Sequence, residues 1–337
     1  MREQFDLRRR LARVVFAFGA LLAASLAAAP LVGPTRIDLL RALDTSIPLA
    51  ANVDAQILFV ARLPRALAAA LVGAMLAGAG VVFQALLRNP LATPFTLGVS
   101  AGAALGAMLA IVLPLPAALT GIPMVPFASF AGSLGAVAIV YLLSTARRTG
   151  FSTDVLLLAG VTLNAFFSAL ILFVQFLADV SQTFRALRWI MGDLDVGSYT
   201  PVLAALPFAG VGLTGFLWLP RPLNLLAMGP DAAASKGVDV VRAQRIAFFS
   251  ASLVTGAAVS VGGPIGFIGI VVPHLVRLMV GADHRVVLPA SLLFGAAFLV
   301  SCDVAARSIM SPMSIPVGVI TAMIGGPFFL WLLVRRG

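Results

Sequence analysis

The chain has 337 residues, of which 61% are apolar and only 11% are charged, and its mean hydropathy is +1.06. Soluble globular domains are about 45–50% apolar and about 25% charged, so this composition excludes an ordinary water-soluble protein. A bilayer-spanning helix takes about 20 residues, and ten of them would occupy about 200. The chain therefore has room for short loops but not for a separate soluble catalytic domain.

The net charge of +10 would indicate a nucleic-acid partner in a soluble protein. Here the basic residues lie between apolar runs, so the positive-inside rule of membrane topology explains them better. No nucleic-acid partner is expected. The one cysteine, Cys302, has an apolar setting and is expected to be a buried structural thiol.

Ten apolar stretches are separated by short polar connections, which predicts an all-α membrane protein with ten transmembrane helices. They cover roughly residues 14–34, 63–87, 95–113, 124–146, 154–178, 200–219, 246–262, 264–281, 286–306 and 315–334. An even number puts both termini on one side, and arginines at both ends indicate the cytoplasm. Sorted this way, the inner side has sixteen basic and six acidic residues and the outer side has seven of each.

The first stretch has two interpretations. A basic start, an apolar run and Ala27-Ala28-Ala29 before Pro30 also resemble a secretory signal peptide. We expect a retained span. Within the spans, Gly73, Ala77 and Gly80 have a spacing that lets helices approach closely.

The apolar stretches lack the groups that ion coupling or catalysis requires. No acid lies in mid-span, and the two histidines, His274 and His284, fall toward the cytoplasmic side, which disfavours an ion-coupled secondary transporter. The sequence has no H-E-x-x-H zinc motif and no G-x-x-x-x-G-K-[ST] loop for ATP. Active transport would therefore need energy from a partner.

Two polar residues in the fifth stretch, Asn164 and Gln175, are candidates to line a transport pathway. The alternative is that each hydrogen-bonds a neighbouring helix. The sequence leaves both interpretations open.

An ordered set of short motifs extends over nearly the whole chain from Arg62 onward. They are RLPR (62–65), QALLRNPLA (84–92), LGVSAG (97–102), GPIGFIG (263–269), VPH (272–274), DHR (283–285), IPVGVITA (315–322) and GGPF (325–328). Together they resemble the permease subunits of binding-protein-dependent ABC importers for vitamin B12, ferric siderophores and haem.

The resemblance implies a single transmembrane permease domain over residues 1–337, a homodimer, two cytoplasmic ATPase subunits and a periplasmic binding protein. The chain would be a multi-pass protein of the bacterial inner membrane that binds no cofactor, because ATP and Mg²⁺ belong to the partner ATPase. It would not be an enzyme. The cargo would be an iron-containing chelate, haem or a ferric siderophore; the alternatives are vitamin B12 and, in another class, an ion-coupled secondary transporter.

Three arginines, Arg62, Arg65 and Arg307, are expected at the outer surface, against the usual bias for basic residues. The local explanation is snorkelling, or for Arg307 a pair with Asp303 one turn earlier. By resemblance, the three receive glutamates of the binding protein.

A cytoplasmic segment, residues 225–240, lies between the sixth and seventh stretches. Pro230-Asp231 suits a helix start and Gly237 its end, so the local prediction is a short surface helix. By resemblance it is the helix that couples to the ATPase. The residues involved are Leu226, Met228, Asp231, Ala232, Ala233 and Gly237.

Two inner loops carry the last candidate site. Asn89, Leu91, Ser152 and Thr153 occupy turns and helix caps. By resemblance they close the cytoplasmic end of the pathway. Asp154 departs from the small uncharged residue expected there, and it suits a helix N-terminus.

Overall fold

A computed structural model describes residues 2–119, 121–145 and 153–336. The predicted gate residue Ser152 lies outside these ranges. The elements are α1 (Arg2–Ala28), α2 (Leu39–Ala42), α3 (Val53–Ala55), α4 (Leu63–Leu86), α5 (Val99–Val112), β1 (Ala118–Leu119), β2 (Ile122–Pro123), α6 (Met124–Thr145), α7 (Thr153–Phe176), α8 (Val180–Ile190), α9 (Thr200–Trp218), α10 (Pro220–Leu226), α11 (Pro230–Ser235), α12 (Val240–Gly262), α13 (Ile268–Val280), α14 (His284–Ser308) and α15 (Val317–Arg336).

Four shorter helical segments complete the described chain path. Three are 3-10 turns, Ala29–Leu31, Leu49–Ala51 and Pro94–Leu97. A π-helical segment, Gln56–Arg62, joins α3 to α4, so the helix runs unbroken from Val53 to Leu86. β1 and β2 pair antiparallel as a small hairpin.

In the described part of the chain, seven helices are long and apolar enough to cross a bilayer. They are Leu7–Leu31, Val53–Leu86, Met124–Thr145, Thr153–Phe176, Thr200–Trp218, Val240–Gly262 and His284–Ser308. Three shorter apolar helices are Val99–Val112, Ile268–Val280 and Val317–Trp331. Each predicted apolar stretch overlaps one of these helices, and the predicted helical membrane fold is confirmed.

Two helices begin away from their predicted bounds for local reasons. α12 begins at Val240, not near residue 246, because the Asp239 carboxylate accepts the Arg242 backbone N–H at 3.0 Å and caps the helix. α5 begins at Val99, not near residue 95, because a 3-10 turn ends at Gly98 with φ of +79°. Hydropathy locates the apolar body of a helix, and polar caps decide where it begins.

α4 is the centre of the bundle, and almost all of its residues are buried. It packs against α12, α13 and α14. A Cβ added at Gly73 would lie 2.3 Å from the Gly295 carbonyl oxygen, and one added at Gly80 would lie 2.1 Å from that of Gly269. The predicted close approach of α4 to its neighbours is confirmed, because only glycine fits at these two crossings.

α1 packs along α14. The ring centroids of Phe18 and Phe294 lie 5.4 Å apart. The Arg10 guanidinium donates a hydrogen bond to the carbonyl oxygen of Val280, the last residue of α13. The first helix is thus an integral part of the packed bundle.

Candidate functional site

The three predicted docking arginines come together at one end of the bundle. Arg62 ends the π-helical segment, Arg65 lies in the first turn of α4, and Arg307 lies in the last turn of α14. α4 and α14 run antiparallel: Arg65 near the start of α4 meets Asp303 near the end of α14, and Gly73, further along α4, meets Gly295, further back in α14. This crossing brings residues distant in sequence into one cluster, which we call the arginine cluster: Arg62, Arg65, Asp303 and Arg307.

Asp303 is the anion at the centre of the arginine cluster. Its Oδ1 lies 2.8 Å from Nε of Arg65, and its Oδ2 lies 3.3 Å from Nε of Arg307. Its residue exposure is 1%, against 8% for Arg65 and 4% for Arg307. The local alternative for Arg307, a pair with Asp303, is present, and all three arginine side chains are buried within the protomer. Their role in docking stays a prediction.

The arginine cluster also holds the connector that follows α1. Arg62 is 5% exposed and donates to the carbonyl oxygen of Pro30 at 3.0 Å and to that of Thr35. Arg307 donates to the Ala29 carbonyl oxygen at 2.7 Å. A Cβ at Gly33 would lie 2.8 Å from the Arg62 guanidinium, so the connector wraps tightly over it. Three guanidinium groups against one carboxylate leave a cationic surplus under this connector.

The predicted coupling segment forms two short helices with a sharp bend between them. Gly229, with φ of +114°, separates α10 from α11. α11 ends at Ser235, and Gly237 follows with φ of +80°. There the Gly237 N–H donates to the Ala234 carbonyl at 2.9 Å and the Val238 N–H to that of Ala233 at 3.1 Å. This is the glycine-terminated helix end predicted from the sequence.

The six predicted coupling residues divide by burial. Leu226 is 4% exposed and Ala233 is fully buried, so both attach the segment to the bundle. Met228 is 65% exposed, and Asp231 and Gly237 also face outward, while Ala232 is half-buried. The segment thus presents a small outward surface on a fixed base.

Asn224 and Asp283 anchor this segment to α14. The sequence did not predict that these two side chains would pair. Asn224 donates to the Asp283 carboxylate at 2.7 Å and accepts the His284 backbone N–H at 2.9 Å. Arg285 also pairs with Asp283 at 2.7 Å. Partial burial alone would raise the pKa of Asp283, but the hydrogen bonds from Arg285 and Asn224 outweigh it and lower the pKa to about 2.

Of the predicted gate residues, Asn89 and Leu91 form one tight turn. The Asn89 carboxamide oxygen accepts the Leu91 backbone N–H at 2.9 Å, and Leu91 is 42% exposed. Just before them, Gln84 donates to the Gly269 carbonyl at 3.0 Å and accepts from Arg277. The turn is thereby fixed to α13.

Thr153, another predicted gate residue, lies beside the coupling segment rather than in the Asn89–Leu91 turn. It lines a cavity of about 250 Å³ together with Arg88, Leu226 and Pro230. The structure thus brings the first turn of α7 and the end of α4 next to the base of the α10–α11 bend. Neither local sequence pattern signals this proximity.

The two pathway candidates differ in their surroundings. The Asn164 carboxamide donates to the Phe95 carbonyl oxygen at 2.9 Å, so the helix-bonding alternative applies to it. Gln175 is half-buried and lies on the same face of α7 as Asn164 and Ser168, by helical spacing. Within the described ranges, no group of three His, Cys, Asp or Glu side chains could hold a metal ion.

A sequence profile described as the FecCD transport family matches residues 20–335, nearly the whole chain. The chain belongs to the FecCD transport family. Among solved structures, an inward-facing putative metal-chelate type ABC transporter superposes with a TM-score of 0.81 and 30% identity, covering 96% of this chain and 99% of that one.

Relatives within this family carry several cargo names. The cobalamin import permease BtuC of Halobacterium salinarum is 46% identical over 82% of this chain and 72% of its own. The hemin permease HmuU of Yersinia pestis is 41% identical over 82% of both chains. The Fe(3+)-citrate import permease YfmD of Bacillus subtilis is 34% identical over 97% of this chain and 94% of its own. The predicted family is confirmed: the chain is a multi-pass inner-membrane permease of an ABC importer.

Proposed function

We propose that this permease moves an iron-containing chelate, haem or a ferric siderophore, from the periplasm to the cytoplasm. The likeness over almost the entire chain to a metal-chelate type transporter carries the proposal. Hemin and Fe(3+)-citrate permeases among the relatives support it. The chain performs no chemistry on its cargo, and a partner ATPase supplies the energy.

A corrinoid is the second candidate cargo, and one observation favours it. The cobalamin permease has 46% identity to this chain, against 41% for the hemin permease. An ion-coupled mechanism finds no support, because membership of an ABC permease family assigns the energy source to a partner.

We propose ten membrane crossings with both termini in the cytoplasm and a functional homodimer. Ten apolar helices and the excess of basic residues on the assigned inner side support the topology. α1 is retained as the first crossing, in keeping with its packing against α14. The homodimer is proposed from membership of this family of ABC importer permeases.

In this arrangement the arginine cluster lies at the periplasmic end. Its cationic surplus suits acidic side chains of a binding protein, because guanidinium groups pair with carboxylates through two parallel donors. The connector at residues 29–35 covers Arg62 and Arg307 in the free protomer. Docking therefore requires either a shift of that connector or attraction through it.

At the opposite end, the coupling segment would contact the ATPase through Met228, Asp231 and the end of α11. Motion transmitted there reaches the gate directly, since Thr153 and Leu226 line one cavity. The turn at Asn89 and Leu91 forms the other side of the gate. This proximity suits a mechanism in which nucleotide-driven motion opens the inner end of the pathway.

The test is ATPase stimulation of the complete reconstituted importer by its binding protein loaded with haem, a ferric siderophore or cobalamin. An iron chelate should stimulate hydrolysis and enter the vesicles, while empty binding protein serves as the baseline. Stimulation and uptake with cobalamin alone would replace the iron-chelate proposal with the corrinoid one. Uptake that needs an ion gradient and no ATP would overturn both.

A further inference from the structure

A groove between α9 and α12 adjoins the end of the coupling segment, because Gly237 is among its lining residues, and is otherwise separate from the sites described above. We call it the α9–α12 groove; it has a volume of about 600 Å³ and is closed at one end by α10 and residues 237–239. Val211, Trp218, Leu219 and Ile246 form its apolar wall, and Arg242 lies at its polar end. The groove therefore combines a long apolar surface with one strong cation.

Glycine packing fixes the narrow end of this groove, away from α10, where α9 and α12 meet. A Cβ at Gly212 would lie 2.4 Å from Val254, and one at Gly215 would lie 2.0 Å from the Ser250 hydroxyl. The two helices touch at this level, so the groove is a gap between helices that part toward α10. Its depth is built into the backbone.

The apolar wall continues onto the outer face of α9. Val211, Leu217 and Trp218 are 64%, 79% and 76% exposed in the protomer. In a membrane, this face meets acyl chains, and a tryptophan at a helix end marks the headgroup level. The groove thus opens sideways into one leaflet at the depth where chains meet headgroups.

Arg242 supplies a cation at the polar end of the groove. Arg221 and Lys236, each adjacent in sequence to a lining residue, are also exposed, and none of the three has an ion-pair partner among the described residues. Asp239 also lines the groove as an anion; its carboxylate accepts the Arg242 backbone N–H at 3.0 Å as the cap of α12, and no ion pair joins it to the Arg242 guanidinium in the described part of the chain. Arg242 is left to attract an anion from outside the chain.

We propose that the α9–α12 groove binds an anionic phospholipid of the inner leaflet. One acyl chain lies along Val211 and Trp218, and the phosphate lies against Arg242. Both parts of this ligand match the groove, because the wall is apolar and faces the leaflet while the end is cationic and at headgroup depth. The binding site does not depend on the cargo or on ATP hydrolysis; only its assignment to the inner leaflet rests on the proposed topology.

Trp218 provides a direct reporter. The chain has three tryptophans, so replacing Trp189 and Trp331 with phenylalanine leaves Trp218 as the sole fluorophore of the full chain in vesicles. Chain-brominated phosphatidylglycerol or brominated phosphatidylcholine is then added at equal fractions, and quenching is measured. We expect phosphatidylglycerol to bind about fivefold more tightly, the preference that one basic residue at the surface provides.

Arg242→Gln should abolish this preference, and Arg242→Lys should retain most of it. Arg245→Gln is the matched control: it removes the same charge from the same helix but is not part of the groove lining, so the preference should persist. Equal quenching by the two lipids in the parent, or an unchanged preference in Arg242→Gln, would overturn the proposal.

A second arm repeats the measurement on the chain assembled with its ATPase. Persistence of the preference supports a lipid site, and its loss would identify the groove as a subunit contact and reject the lipid. Failure of cargo-stimulated hydrolysis leaves the quenching result unaffected, so the two proposals fail separately.

Discussion

Nε of Arg65 lies 2.8 Å from Oδ1 of Asp303, and both residues are almost completely buried. The pair joins the start of α4 to the end of α14. Asp303 also pairs with Arg307, whose Nε lies 3.3 Å from Oδ2 of Asp303. One carboxylate therefore neutralises part of a group of three buried guanidinium ions. Removing it would leave buried cations without compensation, which is costly even where the intact pair adds little net stability.

Asp303→Asn should lower the free energy of unfolding by about 3 kcal/mol, because the change leaves Arg65 and Arg307 buried without their anion. Thermal or denaturant unfolding of the purified chain in an uncharged detergent measures it. Asp195→Asn is the control, since Asp195 is exposed and lies 3.9 Å from the exposed Arg188; it should change stability by less than about 1 kcal/mol. Equal stability of Asp303→Asn and the parent would show that Asp303 does not hold the cluster.

The docking proposal predicts a different effect for Arg62→Gln. Binding-protein affinity should fall about tenfold, mainly through a slower association that is most evident at low salt, because the Arg62 charge beneath the connector adds to the positive potential that steers an acidic partner. Surface plasmon resonance on the reconstituted importer measures it. Arg41→Gln, an exposed change at the same end of the molecule, should have little effect. Unchanged affinity of Arg62→Gln at low salt would argue that docking uses another surface.

Most of the fold was predictable because one physical signal dominates it. Runs of about 20 apolar residues must form helices in a bilayer, where each backbone polar group needs an internal partner. The glycines of α4 were also readable, since Gly73 and Gly80 lie on one face and meet backbone oxygens of α14 and α13. Helix ends were less predictable, because Asp239 and Gly98 act through local capping and backbone conformation rather than hydropathy.

The candidate site was predictable in its parts but not in its assembly. The sequence indicated that Arg62, Arg65 and Arg307 share one side of the membrane, and local spacing offered the Arg307–Asp303 pair. Nothing local showed that Asp303 would also accept Arg65, or that residues 29–35 would cover Arg62 and Arg307. A charged residue in an otherwise apolar helix was the available signal. The proximity of Thr153 to Leu226 follows only from tertiary packing.

Gly80→Ala tests the close crossing of α4 and α13. The new Cβ would lie 2.1 Å from the Gly269 carbonyl oxygen, so α4 and α13 must separate, and the free energy of unfolding should fall by about 2 kcal/mol or more. Gly210→Ala is the matched control, because a Cβ there meets nothing within 4 Å and the position is helical. Its stability should stay within about 1 kcal/mol of the parent. A similar loss in both variants would point to a general effect of glycine replacement.

An insertion of two residues after Ala233 tests the coupling segment. It displaces Gly237 and Val238, which follow α11, from the buried Ala233, so ATP hydrolysis should continue while transport falls by tenfold or more. Both rates are measured on the same proteoliposomes. The control is a two-residue insertion after Gly197, a turn residue with φ of +62° and open space around it. Retained coupling in the Ala233 variant would mean that the ATPase contacts this chain elsewhere.

Asp283 caps α14, because its carboxylate accepts the Arg285 backbone N–H at 3.0 Å. This cap should make the stability of the fold sensitive to acid. The pKa of Asp283 falls from 3.8 in the unfolded chain to about 2 in the fold, so its contribution is fully present above about pH 4 and is lost as pH falls from about 4 to 2. After discounting for solvent screening, about 1 kcal/mol should disappear over this window. Asp283→Asn keeps a capping oxygen but cannot titrate, so its stability should fall less than that of the parent between pH 5 and pH 2.5, by calorimetry in uncharged detergent. For Arg285→Gln, the loss of stability with falling pH should be intermediate, because the change removes one of the two side-chain donors that lower the Asp283 pKa. If stability falls equally with pH in the parent and in both variants, the cap is excluded as the source of the acid sensitivity.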